Sequence, residues 1–90
     1  MKPIFEVVYH PDVPRKDLPK ISFPTRERIR KAIEAKLLAA PEEFGEPLRR
    51  TLKGYWKLRV GNYRVIYKVN GRTVLVLRIG HRSEIYKRLS

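Results

Sequence analysis

Residues 55–69 have the sequence YWKLRVGNYRVIYKV, in which apolar and charged side chains alternate on both sides of Gly61-Asn62. Alternation with a period of two is typical of β-strands that bury one face. Gly-Asn fits a two-residue hairpin turn, although less strongly than Asn-Gly, because the central residues of such turns need positive φ. The stretch therefore predicts two antiparallel strands, residues 55–60 and 63–69.

A second hairpin signal follows directly. Asn70-Gly71 is the strongest short-range hairpin dipeptide and leads into another β-rich run, residues 72–80. Near the start of the chain, residues 4–9 are also β-rich, and Pro11 ends that run because proline cannot continue a strand ladder. The sequence thus predicts an N-terminal strand and a C-terminal three-stranded meander.

Helical periodicity lies between these strands. Ile29, Ile33 and Leu37 recur every four residues within residues 25–40, and Pro41 ends the pattern. Residues 42–47 are predicted to be a loop. The expected fold is α+β, a single domain of residues 1–90 in which a small antiparallel sheet, the N-terminal strand plus the meander, packs against N-terminal helices.

Composition limits the classes of function. The chain has 90 residues, of which 42% are apolar and none is cysteine, so it can bury one core but cannot be a large multidomain enzyme. The absence of cysteine excludes disulfide scaffolds, zinc ribbons and thiol nucleophiles and suits a reducing compartment. No apolar run approaches the roughly 20 residues that span a membrane, and the N-terminus lacks the pattern of a secretory signal. We therefore expect a cytoplasmic protein with no membrane partner.

The positive charge is concentrated in the second half of the chain. The formal net charge is +12; residues 1–45 hold nine Lys/Arg and seven Asp/Glu, a net +2, whereas residues 46–90 hold twelve Lys/Arg against Glu46 and Glu84, a net +10. So many like charges repel one another and destabilise a compact domain unless an anion binds near them. The distribution indicates a polyanionic partner.

The predicted hairpin register sorts these charges by face. A two-residue loop at Gly61-Asn62 places Arg59 opposite Arg64 and Lys57 opposite Ile66, and opposed residues share a face. The helix-covered face would then carry Trp56, Leu58, Val60, Tyr63, Val65, Tyr67, Val74 and Val76. The other face would carry Lys57, Arg59, Arg64 and Lys68 beside Ile66, Leu75, Leu77 and Ile79.

Arg59 opposite Arg64 is the informative pair of this register. Directly opposed like charges destabilise a sheet, so the pair favours a bound phosphate. Two other interpretations stay open: the side chains splay apart as ordinary solvated arginines, or a bulge breaks the register. A slip of one residue would exchange the apolar and cationic faces as a whole.

The segment after the last predicted strand, Gly80-His81-Arg82-Ser83-Glu84-Ile85-Tyr86, adds an imidazole, a guanidinium and a phenol. Each has an ordinary explanation: His81 as a surface residue, Arg82 as a cap or in a salt bridge to Glu84, and Tyr86 as a helix residue packed on the sheet. Near a cationic sheet face, however, the same three groups could bind a phosphate or transfer protons.

Taken together, four stretches resemble the RelE/ParE superfamily of bacterial and archaeal toxins of type II toxin–antitoxin systems, most closely its RelE branch. They are GEPL at 45–48, LKG at 52–54, WKLRVGNYRVIY at 56–67 and GHRSEIY at 80–86. The resemblance implies a RelE-like fold. It also implies a ribosome-dependent endoribonuclease, an mRNA interferase, which cleaves mRNA in the ribosomal A site without a cofactor or metal and is held inactive by a cognate antitoxin.

The resemblance also implies roles for individual residues. Arg64 matches the strand arginine that contacts the scissile phosphate, Arg82 matches the second active-site arginine, and Tyr86 matches the tyrosine near the C-terminus. Lys57 matches one lysine of the family's basic pair, whose second position is Tyr55 here. His81 falls where relatives have a lysine or a nearby histidine, so its role as an acid or base stays open. Arg59 fits a further basic position of the family, and we expect Lys53, Arg59 and Lys68 to bind RNA.

The chemistry of these groups fits metal-free RNA cleavage, which needs a base for the 2′-hydroxyl proton, cations for the phosphorane charge and an acid for the 5′-oxygen. The basic face has no carboxylate pair of the kind that holds two metal ions. Arg64 and Arg82 would stabilise the phosphate electrostatically. Which of Lys57, Tyr86 and His81 is the base and which the acid stays open at this point.

Two other functions fit the same sequence. One is a ParE-like inhibitor of DNA gyrase, which would use the scaffold to bind a protein, and the other is a non-catalytic RNA-binding module. For the toxin we expect the ribosome and mRNA as partners, and a heteromeric complex with an acidic, partly disordered antitoxin.

Overall fold

The computed structural model describes residues 4–48 and 54–88. The helices are α1 (Phe23–Ala32) and α2 (Pro41–Phe44), with short helical turns at Val13–Asp17, Leu18–Lys20, Ile33–Leu37 and Ile85–Arg88. The strands are β1 (Glu6–Tyr9), β2 (Glu46–Pro47), β3 (Tyr55–Val60), β4 (Tyr63–Asn70) and β5 (Thr73–His81). The predicted α+β class is confirmed, whereas the predicted loop at 42–47 contains most of α2 and all of β2.

The five strands form one mixed sheet in the order β1-β5-β4-β3-β2. The meander β3–β5 is antiparallel as predicted, and β2 adds antiparallel to β3. The second turn of the meander is Gly71-Arg72 and not the predicted Asn70-Gly71, because Asn70 still pairs with Thr73. The prediction of a wholly antiparallel sheet is wrong, since β1 runs parallel to β5. Side-chain alternation does not show whether a strand runs parallel or antiparallel to its neighbour, and no hairpin joins β1 to β5. The sequence therefore did not show the direction of β1.

The β3–β4 hairpin has the predicted register. Val60 lies opposite Tyr63, Arg59 opposite Arg64 and Trp56 opposite Tyr67. Gly61 has a φ of +59°, the left-handed conformation that a glycine adopts without a Cβ clash. The turn therefore fixes which side chains face the helices.

A bulge alters the pairing of β4 with β5. The register shifts between Ile66 and Tyr67, so that Tyr67 lies opposite Val76 but Ile66 lies opposite Arg78, and Leu77 has no opposite residue. One extra residue in a strand reverses its inward and outward positions beyond that point. Ile79, predicted on the cationic face, is instead buried in the core opposite Val65, and Arg78 takes the cationic side.

The core lies between the sheet and the helical layer. From the helical layer Ile29, Ile33 and Leu37 are buried, and from the sheet Leu58, Val60, Val65, Tyr67, Val74, Val76 and Ile79 join them. Apolar burial of this kind is the main favourable term in folding. The helices thus cover one face of the sheet, as predicted, and leave the cationic face to other elements.

Asp17 ties the first helical turns to the edge of β5. The backbone pairing of β1 with β5 ends at the hydrogen bond that the His10 N–H donates to the Val76 carbonyl. Further along, the Ile79 N–H donates to Asp17 Oδ2 at 2.9 Å, and Arg78 Nη1 lies 3.5 Å from Asp17 Oδ1. This buried carboxylate therefore satisfies an edge amide that β1 does not reach.

Tyr67 connects the sheet to α2. Its hydroxyl donates to the Pro41 carbonyl at 2.6 Å, and burial, followed by the nearby Glu42 charge, raises the pKa of Tyr67, so the phenol remains a donor. Gly45 makes room for it, since a Cβ there would overlap the Tyr67 hydroxyl oxygen. The Gly45 position thus holds β2 against the sheet at close range.

We predict that Gly45→Ala destabilises the protein by about 1–3 kcal/mol, as overpacking a core usually does. Tyr67→Phe should cost about 1 kcal/mol through the lost hydrogen bond. The double variant should lose less than the sum, because removing the hydroxyl relieves part of the clash. Urea unfolding of the four proteins measures this, with exposed Tyr9→Phe as the control. Strictly additive losses would contradict the packing described.

Candidate functional site

The sheet face opposite the helices is strongly cationic. We call it the basic face; it carries Lys57, Arg59, Arg64, Lys68 and Arg78. The structure confirms that the first four of these share a face. Ile66 is fully buried in their midst although it is not part of the main core. The basic face is therefore a packed surface rather than a set of loose side chains.

Arg64 is the most constrained cation of this face. Arg64 is only 9% exposed. Its Nη1 donates to the carbonyl oxygens of Gly61 at 3.0 Å and of Tyr63 at 2.8 Å. Within residues 4–48 and 54–88, its Nε and Nη2 donate to no acceptor. A guanidinium fixed through one nitrogen thus keeps two donors for a bidentate contact with an anion.

Arg59 and Lys57 share a carboxylate partner. Glu46, which lies opposite Lys57 in the β2–β3 pairing, places Oε1 3.5 Å from Arg59 Nε and Oε2 3.9 Å from Lys57 Nζ. Arg59 therefore points to β2 while Arg64 points to the hairpin turn. The side chains splay apart, so the opposed arginines do not by themselves require a bound anion.

Tyr86 lies beside Lys57. The Lys57 ammonium is 5.7 Å from the centroid of the Tyr86 ring, a cation–π distance. The turn Ile85–Arg88 packs on the sheet through buried Ile85, whose Cδ1 lies 3.0 Å from the place of a Cβ on Gly80. Gly80 is opposite Arg64, so this turn brings Tyr86 onto the basic face.

Arg82 lies at the end of the basic face that holds Arg64. Its backbone N–H donates to the Asn62 carbonyl at 2.8 Å, and its side chain is exposed. In the described part of the chain its guanidinium forms no ion pair, so the alternative of a salt bridge to Glu84 is not what the structure shows. Both arginines are thus held at the same hairpin turn.

His81 lies on the other side of the sheet. It is opposite Tyr63, with the rings edge to face at a centroid distance of 5.5 Å, and Nδ1 accepts the backbone N–H of Ser83 at 3.2 Å. Tyr63 packs against the main core. The structure therefore separates His81 from Lys57 and Arg64 by the thickness of the sheet.

The predicted RNA-binding residues are distributed unevenly. Lys68 is exposed at the far end of β4, with its ammonium 4.9 Å from the ring centroid of Tyr55, the residue opposite it. Arg59 is near the middle of the face, beside Glu46. Lys53 lies outside the described residues.

Sequence reasoning missed three groups near this site. Arg78 was missed because the bulge, which the sequence did not indicate, places it on the basic face. Glu46 was missed because its segment was predicted to be a loop. Arg28 of α1 places Nη1 3.0 Å from where a Cβ on Gly61 would lie, which adds a guanidinium at the hairpin turn. Only Glu46 had a usable signal, as one of two acidic residues in the basic half.

Residues 4–48 and 54–88 contain neither a cluster of metal-ligating side chains nor a helix that could cross a membrane. No three His, Asp or Glu side chains there come together in a way that could hold a metal ion. None of the helices in these ranges is long and apolar enough to cross a membrane.

Comparison with known proteins gives the family. A family model described as the ParE toxin of type II toxin–antitoxin systems, parDE, matches residues 7–86. The chain belongs to the RelE/ParE superfamily. The toxin–antitoxin complex RelBE2 of Mycobacterium tuberculosis is similar, with 31% identity, a TM-score of 0.79 and coverage of 93% of this chain and 97% of that one. The RelB–RelE complex of Methanococcus jannaschii shows 27% identity, a TM-score of 0.68 and coverage of 92% and 99%.

Two curated superfamily members match over shorter stretches. Toxin RelG of Mycobacterium tuberculosis is 44% identical over 50 residues, which are 53% of this chain and 58% of that protein. Toxin RelE3 of Methanocaldococcus jannaschii is 50% identical over 32 residues, 36% of each chain. The chain therefore spans little more than half of the first relative and about a third of the second.

Glu46 should weaken the binding of polyanions to this superfamily member. We predict that Glu46→Gln raises the affinity for a single-stranded RNA oligonucleotide by up to about fivefold, the range that an exposed ion pair allows. The salt dependence should also steepen, because Lys57 and Arg59 become free for phosphate. Titrations at several salt concentrations measure both quantities. An equal gain for Glu42→Gln, which removes the same charge from α2, would show a net-charge effect only.

Proposed function

We propose that the chain is the toxin of a type II toxin–antitoxin module and cleaves mRNA in the ribosomal A site. The observation that carries the proposal is the hydrogen bonding of Arg64. Two carbonyls of its own hairpin hold Nη1, while Nε and Nη2 have no partner among the described residues. Lys57, Tyr86 and Arg82 lie around it on one side of the sheet. Membership of the RelE/ParE superfamily supports the proposal.

The reaction would use the 2′-hydroxyl of the RNA as nucleophile. Its oxygen attacks the adjacent phosphorus as a base removes the proton, and the bond to the 5′-oxygen breaks as that oxygen accepts a proton, which leaves a 2′,3′-cyclic phosphate. Negative charge grows on the non-bridging oxygens in the transition state. Arg64 would donate two hydrogen bonds to them from a position that needs no reorganisation, with Arg82 as a second cation.

Lys57 and Tyr86 are the acid–base pair that the arrangement favours. They adjoin each other on the basic face, and the Lys57 side chain is 21% exposed, so it is partly shielded but accessible. His81 is on the helix-covered side and is left out of the proposal. Glu46 is a single carboxylate that already pairs with two cations, which supports cleavage without a metal ion.

The ribosome would supply the anionic surroundings for a net charge of +12. A basic domain associates rapidly with RNA through long-range attraction, which depends on ionic strength. Cytoplasmic location is part of the same proposal.

We further propose an antitoxin partner. An apolar groove of about 410 Å³ lies between β1, the first helical turns and α1, and its lining includes Tyr9, Leu18 and Phe23. Arg26 also lines it, with a buried Nε that has no partner within the described residues. An acidic amphipathic segment would cover the apolar side chains and give Arg26 an acceptor.

Primer extension on translating ribosomes tests the activity. Wild-type protein should produce new 5′ ends within codons at the A site. Arg64→Ala and Arg82→Ala should each lower the cutting rate by about 10² to 10³, the usual cost of one electrostatic donor at a phosphoryl or acyl centre. Arg64→Lys should stay impaired, because lysine lacks the planar fork.

Arg72→Ala is the matched control, since Arg72 is an exposed arginine at the other hairpin turn of β4. It should leave cutting unchanged. Intact transcripts with wild-type protein, or cutting by Arg64→Ala at the control rate, would contradict the proposal.

A second candidate function is inhibition of DNA gyrase. It is favoured by the description of the matching family model as a ParE toxin. A supercoiling assay distinguishes the two: inhibition at stoichiometric protein, with mRNA left intact, would favour gyrase. Steeply salt-dependent RNA binding without cutting or gyrase inhibition would instead indicate a binding module.

A further inference from the structure

We infer that Tyr55 is a base-stacking residue, which binds an unpaired nucleobase next to the cleaved nucleotide. The inference rests on the proposed function, since it assumes that single-stranded RNA lies on the basic face. It adds to that function a residue that binds the RNA through a base rather than through a phosphate.

The strand register places Tyr55 on the basic face. Tyr55 alternates with Lys57 and Arg59 along β3, and it lies opposite Lys68 of β4. Its ring is partly buried and has the Lys68 ammonium 4.9 Å from its centroid. A lysine held over a tyrosine ring fixes the ring's position and places a phosphate-binding cation next to a stacking surface.

The distance along β3 shows which nucleotide Tyr55 can meet. Tyr55 is four residues from Arg59, which is opposite Arg64. At about 3.3 Å per residue this is about 13 Å along the strand, twice the separation of Lys57 from Arg59, so Tyr55 lies farther than Lys57 from a phosphate bound at Arg64. Tyr55 therefore meets a neighbouring base, whereas Tyr86 is beside Lys57 and closer to the reacting atoms.

Single-stranded RNA is bound in proteins by this combination of groups. Cations follow the backbone, and aromatic rings stack on bases that are splayed out of a helix. Because every base has a flat π-face, one ring adds affinity without changing the number of phosphates neutralised. Tyr55 should thus contribute to binding without contributing to its salt dependence.

The test uses a short single-stranded RNA with 2-aminopurine placed at successive positions, whose fluorescence falls when that base stacks. Tyr55→Phe should keep both affinity and quenching. Tyr55→Leu should lower the affinity by roughly 5- to 150-fold, the range for loss of one stacked base, with an unchanged slope of log affinity against log salt. In Tyr55→Leu the quenching should vanish at one position, next to the nucleotide whose phosphate binds at Arg64.

Phe44→Leu is the matched control. Phe44 is an exposed aromatic residue of α2 with a cation–π partner of its own, Lys36, at 5.9 Å. It should leave RNA binding unchanged. Thermal unfolding shows whether each variant folds.

A second measurement uses the wild-type protein and so does not depend on the folding of Tyr55→Leu. A single abasic nucleotide is placed at each position of the RNA in turn. At one position, next to the nucleotide whose phosphate binds at Arg64, the abasic site should lower the affinity, and RNA binding should then no longer shift the NMR signals of the Tyr55 ring protons. Equal losses at all positions, an unchanged affinity in Tyr55→Leu, or a loss in Phe44→Leu as large as in Tyr55→Leu would overturn the inference.

The oligonucleotide assay needs no ribosome, which separates the two proposals. Binding that depends on Tyr55 in a protein that cuts no mRNA would contradict the nuclease but support the stacking role. If mRNA cutting depends on Arg64, but Tyr55→Leu changes neither cutting nor RNA binding, the nuclease is supported and the stacking role is contradicted.

Discussion

The two-residue turn Gly61-Asn62 is the constraint on which the rest of the structure depends. It sets a register in which Leu58, Val65 and their neighbours face the helices and the cations face away. A slip of one residue would exchange the two faces. The same turn also positions the site residues. The Gly61 carbonyl accepts a hydrogen bond from Arg64 Nη1, and the Asn62 carbonyl accepts one from the Arg82 backbone N–H.

The protein relieves the repulsion on its basic face with its own groups. Glu46 contacts Lys57 and Arg59, two hairpin carbonyls hold Arg64, and tyrosine rings lie beside both lysines. The ion pairs of Glu46 are partly exposed, so a phosphate can compete with them, whereas the carbonyl contacts of Arg64 can persist when its other nitrogens bind a phosphate. The face is thereby ordered before a ligand arrives, which is what electrostatic stabilisation of a transition state requires.

The sequence predicted features set by local rules. Alternation and the chemistry of the first turn were sufficient for the strand order of the meander and for the shared face of Lys57, Arg59, Arg64 and Lys68. The bulge in β5 accounts for the main errors: without it, Ile79 and His81 would lie on the basic face and Arg78 on the other. A bulge depends on how two strands fit together, as does the direction of β1, and neither has a signature within a single strand. The contact of Glu46 with two cations likewise requires β2, which is two residues long.

The most direct test of the central claim is an NMR titration of the wild-type protein with a short single-stranded RNA that carries a 2′-deoxy nucleotide at the cut position. The side-chain Nε–H signal of Arg64 should shift, together with the amide signals of β3 and β4 and those around Arg82. Shifts confined to the groove lined by Tyr9, Leu18 and Phe23, with the Arg64 signal unchanged, would contradict the account.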